Sequence, residues 1–87
     1  MTTTHKASDA DIFDALRHLA KSLSTAADRA HTLDAEDQRH REASQVRFVA
    51  TMFEREPVEW RSLALCWIAA ARRIVTRYAD QDAEAQR

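Results

Sequence analysis

Glycine is absent from this 87-residue chain, and proline occurs once, as Pro57. Glycine is the default residue wherever the backbone needs positive φ, so tight hairpin turns and glycine-capped helix ends are excluded. Phosphate-binding loops, nucleophile elbows and dinucleotide fingerprints go with them, because each needs glycine at fixed positions. What remains is helices joined by short, glycine-free links. Cysteine is almost as scarce: Cys66 alone can form neither an internal disulfide nor a thiolate metal cluster. It sits in the apolar run 63–71 and reads as a small buried hydrophobe. That run is about half the length that crosses a bilayer, and the opening Met-Thr-Thr-Thr-His-Lys lacks the apolar centre of a signal peptide. The expectation is a protein of a reducing, cytoplasmic compartment.

Charge of one sign is lacking too. Thirteen Lys and Arg stand against 14 Asp and Glu, a net charge of −1, which makes no global case for nucleic acid or an anionic membrane. The distribution is less even than the sum. Between Gln38 and Arg77 lie eight arginines and four glutamates, while the acidic residues gather near the two ends.

The residues that are present mark three helices. Ser8 can accept a hydrogen bond from the Asp11 amide, and Asp9, Asp11 and Asp14 suit the positive end of a helix dipole. Apolar residues then recur at Ile12, Leu16, Leu19, Leu23, Ala26, Ala30 and Leu33, a heptad-like stripe. This predicts a first helix over about 9–32 after a disordered tail at 1–7. Asp34 is the expected N-cap of a second helix over 35–55. One continuous helix over 9–55 is the alternative, because no glycine or proline interrupts 32–34. Pro57 disfavours helical geometry at Glu56 and suits a first helical position, so a third helix is expected over 57–80, with a frayed end at 81–87. Three helices of similar length with short links form an all-α, up-down-up bundle, extended by dimerisation if a second copy packs on it. Helix one is bulky early and alanine-rich late, and helix two the reverse, so antiparallel packing creates one thick end and one thin end.

Two surfaces exceed what such a core needs. At about 100° per residue, the core face of helix two carries Ala35, Ala43, Val46, Val49, Ala50 and Phe53, while Phe48 and Met52 fall elsewhere, beside Arg41, Gln45 and Arg55. Aromatic, methionine and arginine side chains are enriched at protein interfaces, which makes this a candidate partner-binding patch. The plainer alternative is that Phe48 and Met52 tuck under a neighbouring helix. The core face of helix three holds Trp60, Leu63, Ala64, Trp67, Ile68, Ala71, Ile74, Val75 and Tyr78. A second face of small residues, Ser62, Cys66, Ala69 and Ala70, with Leu65 and Arg73 beside it, is a candidate dimer face. Its plainer alternative is a central helix that touches both others.

Other constellations are weaker. Arg39 and Glu42 extend the core stripe of helix two toward Tyr78; they read as a solvated pair at the thin end or as a polar pocket for a small anion. Glu36 with His40, and Asp14 with His18, have the i,i+4 spacing that can share a metal, but a useful site needs more ligands. They read as ordinary helix-surface pairs, with no metal or cofactor expected. The leading functional expectation is therefore a non-enzymatic interaction protein, an adaptor, inhibitor or small regulator of another protein, an outline shared with small helical proteins of phages and mobile elements. A dimeric nucleic-acid-binding regulator using the arginines of helices two and three is the alternative, and a small helical enzyme with a polar site at the thin end the third.

Overall fold

Ser8 sits in extended backbone, and its hydroxyl accepts from the Asp11 amide at 3.1 Å, opening α1 (Asp9–Asp28) as its sequence position requires. This computed structural model describes residues 7–86; most of the expected N-terminal tail lies outside the described residues. Helix α1 stops at Asp28, before the expected 32, with the Arg29 amide closing on the carbonyls of Ala26 and Ala27. The helices are therefore separate. The next cap is Thr32, whose hydroxyl accepts from the Ala35 amide at 3.1 Å, so α2 (Leu33–Arg55) begins earlier than a cap at Asp34 would place it. A threonine in extended backbone caps well, and Asp34 then serves as first-turn negative charge. Leu33 becomes the first residue of α2 and is 77% exposed, not part of the α1 stripe.

Glu56 alone separates α2 from α3 (Pro57–Ala85), with Pro57 at the first helical position. Helix α3 runs past the expected end at 80 through Ala85. At 29 residues and about 1.5 Å per residue, it accounts for the 44 Å long axis of the molecule.

The links between helices fix an up-down-up order. Arg61, near the start of α3, donates to Asp9 at the start of α1 at 2.7 Å. Arg39, near the start of α2, donates to Ala26 near the end of α1 at 2.8 Å. All three helices touch one another. Their shared core joins Ile12, Leu16, Leu19 and Leu23 to Val46, Val49 and Phe53, and to Ala64, Ile68 and Ala71. The largest fully buried side chains, Phe53, Ile12, Leu16, Leu23 and Val46, come mostly from the early part of α1 and the late part of α2. Together they make the thick end that the residue sizes require. At the other end Ala27 and Ala43 are fully buried, and their small volume leaves room for something larger.

Candidate functional site

That room is filled by Arg39, which is only 4% exposed. Its guanidinium forms a two-pronged bond to the Asp82 carboxylate, both contacts at 3.0 Å, and also reaches the Ala26 carbonyl. Paired parallel N–H···O bonds of this kind are among the stronger polar contacts in proteins. The Tyr78 ring covers the cation at 4.3 Å, and the Tyr78 hydroxyl donates to Glu42. Arg39 and Glu42 are thus not a solvated pair. They hold the end of α3 against α1 and α2, because an arginine on the buried stripe requires a carboxylate and Asp82 supplies it. The helix beyond the expected boundary at 80 is anchored through Asp82 and continues to Ala85. Among the described residues, the Arg39 Nε is the one buried side-chain nitrogen or oxygen without a hydrogen-bond partner. With its two terminal nitrogens already committed, the guanidinium is spoken for by the fold and does not offer a vacant anion pocket.

This packing shifts two protonation equilibria. The bonds from Arg39 hold the Asp82 carboxyl below its usual range, against the opposing effect of burial. Burial, then the hydrogen bond to Glu42 and its charge, push the Tyr78 phenol up to about 12, although Arg39 and Arg77 pull the other way.

A different surface lies between α2 and α3. Phe48 is 58% exposed and meets Trp60 edge-on, with ring centroids 5.9 Å apart. Around that contact runs an open groove of about 420 Å³, whose apolar lining comes from Phe48, Val49, Trp60, Leu63 and Trp67. Arg41, Ser44 and Gln45 supply its polar edge. The structure thus brings Phe48 and Arg41 together at one site. Met52 is half-buried, and Arg55 is exposed in the last turn of α2; neither lines the groove.

Of the core face expected for α3, Leu63 departs, while Trp60 and Trp67 pack against the core and also line the groove. Leu63 is exposed, and both tryptophans are half-buried. Their stripe is wider than one pair of neighbouring helices can cover, and that excess width was the signal in the sequence. Such apolar surface on a small helical fold is a common mark of a contact site.

The small-residue side of α3 is uncovered. Ser62, Leu65, Cys66, Ala69 and Arg73 are exposed and Ala70 is half-buried, so neither α1 nor α2 packs over that strip. The reading of Cys66 as a buried hydrophobe is corrected: position 66 lies on the side of α3 away from Ala64, Ile68 and Ala71. The native protein is expected to react with a thiol-specific disulfide reagent at a rate within about ten-fold of that in urea. Strong protection in the native state would contradict this placement.

A wider cleft of about 670 Å³ separates α1 from α2, but Arg17, Lys21 and Arg47 on its walls alternate with Asp28 and Glu54. His40 approaches Glu36 at 3.9 Å as a simple i,i+4 pair, and no three His, Cys, Asp or Glu side chains converge among the described residues. No helix among the described residues is long and apolar enough to cross a membrane. Compared with known proteins, the chain matches no family model, no curated protein and no solved structure.

Proposed function

We propose that this chain is a non-enzymatic interaction module that binds another protein through the groove between α2 and α3. The observation that carries this reading is the exposed aromatic and aliphatic lining of the groove, Phe48, Trp60, Leu63 and Trp67. Removing such side chains from water on contact is the main source of affinity in protein interfaces, and large aromatics dominate their energetics. The polar groups of the groove, Arg41, Ser44 and Gln45, stand at its edge and leave the apolar floor uninterrupted. The cleft between α1 and α2 mixes its apolar surface with charged walls, Arg17, Lys21, Asp28, Arg47 and Glu54, which a partner would have to match.

Photocrosslinking in the producing cell tests the reading. Benzoyl-phenylalanine in place of Phe48 is expected to capture a discrete polypeptide, whereas the same group in place of Asp14, on the exposed side of α1, captures none. Equal capture at both positions, or none at either, would overturn the assignment of the groove.

A further inference from the structure

The edges of the groove are patterned in a way its apolar floor does not require. On α2, Arg41, Phe48 and Arg55 follow at seven-residue steps, as do Gln38, Gln45 and Met52 beside them. On α3, Trp60, Trp67 and Ile74 form one seven-residue series, and Leu63, Ala70 and Arg77 form the next. A seven-residue repeat keeps a seam facing a partner helix along its length, because left-handed supercoiling absorbs the mismatch with 3.6 residues per turn. Two adjacent helices carrying such repeats along one groove make a seat for a third helix lying between them.

The charges on the rim point to the sign of that helix. Arg61, at the junction with α1, is paired with Asp9, and the buried Arg39 is paired with Asp82. Arg41 and Arg55 on α2 and Arg77 on α3, in the seven-residue series that carry Phe48 and Leu63, are exposed and form no ion pair among the described residues. Glu42, the carboxylate of α2 nearest this side, is half-buried and accepts from the Tyr78 hydroxyl, while Glu56 and Glu59 lie at the joint end. The exposed charges beside the groove away from that joint, Arg41 and Arg77, are therefore positive. A second copy laid face to face would bring these arginines toward their own counterparts, where like charges repel.

We infer that the groove's partner is an acidic amphipathic helix, its apolar seam seated on Phe48, Trp60, Leu63 and Trp67 and its carboxylates meeting Arg41 and Arg77. This rests on the groove as the contact surface and adds the partner's shape and charge. Docking of this kind, an apolar helix face in a groove with charges fixing register, is a recurrent mode of peptide recognition.

The chain's two tryptophans both line the groove, so their fluorescence reports its occupancy directly. The probes are three stapled helical peptides with leucine at the seam positions and Glu, Gln or Lys at all flanking positions. The Glu peptide is expected to shift tryptophan emission with an affinity roughly ten-fold above the Gln peptide and further above the Lys peptide. That advantage should shrink in molar salt, where screening shortens to about 3 Å. Reversing the rim with Arg41→Glu and Arg77→Glu, both exposed and outside the core, is expected to transfer the preference to the Lys peptide. Equal binding of the Glu and Gln peptides overturns the charge inference but leaves the groove as a contact surface. No binding by any of the three overturns the helical partner, while crosslinking at position 48 separately decides the groove itself.

Discussion

Phe53→Ala is expected to lower the free energy of unfolding by about 3–5 kcal/mol, the largest effect of any single truncation in this chain. Phe53 is 1% exposed and is the largest fully buried side chain, packed at the thick end where the early part of α1 meets the late part of α2. Truncation removes the transfer energy of the ring and leaves a cavity that three helices in mutual contact cannot easily collapse into. A domain of this length has a total stability on the order of 4–13 kcal/mol, so the variant stands near the unfolding threshold. Phe53→Leu, costing roughly 1–2 kcal/mol, keeps the effect measurable if the alanine variant does not fold. Urea titration followed by circular dichroism reads both. Phe48→Ala is the internal control, because its ring is largely exposed, and its loss should stay below about 1 kcal/mol. Equal losses at positions 48 and 53 would mean that the core is not where it is described.

The second large effect is at Arg39. Arg39→Ala should destabilise the fold by about 3 kcal/mol, because it strands Asp82 and takes the cation from beneath the Tyr78 ring. The loss should be concentrated at one end. Amide exchange in the last two turns of α3 should accelerate far more than exchange around Ala64 and Ile68. Replacing both partners, Arg39→Met with Asp82→Leu, should recover much of the loss, since apolar groups that fill the same volume need no pairing. A uniform increase in exchange along α3 would argue against a local latch.

The same latch sets the pH response. The Asp82 carboxyl is held below its unfolded value of 3.8, so its contribution is present above that value and is lost as pH falls through the lower folded one. The Tyr78 phenol is raised from 10.0 to about 12, so its contribution is present below 10.0 and is lost as pH rises between those values. Acid titration of the wild type beside Asp82→Asn separates the first from background. An identical acid limb in both proteins would remove Asp82 from the account.

Sequence reading went furthest where a single residue dictates the local backbone. Ser8 and Pro57 mark their boundaries because capping and ring geometry act within a few residues. The joint between α1 and α2 was less legible. Thr32 and Asp34 are both good caps, and Leu33 continues the spacing of the α1 stripe although it belongs to the next helix. The end of α3 was illegible locally, because it is held by a partner 43 residues away. One trace did exist: Asp82 lies one turn beyond Tyr78, on the side of α3 that carries Ala71 and Val75, where it could meet an arginine on the facing stripe. Of the site, Phe48 and Arg41 stood out because helix two has a narrow core face. Trp60, Leu63 and Trp67 did not, since large apolar residues on a wide stripe look like core until the neighbours are counted.

The one-residue joint at Glu56 has a consequence for the thermodynamics of recognition. Helices α2 and α3 are tethered there at one end of the groove and clamped through Arg39, Tyr78 and Asp82 toward the other. A cleft pinned at both ends has little freedom to lose when it is filled. Its occupant should therefore meet a ready-made seat, and the entropic cost of binding should fall on the incoming helix and not on this chain.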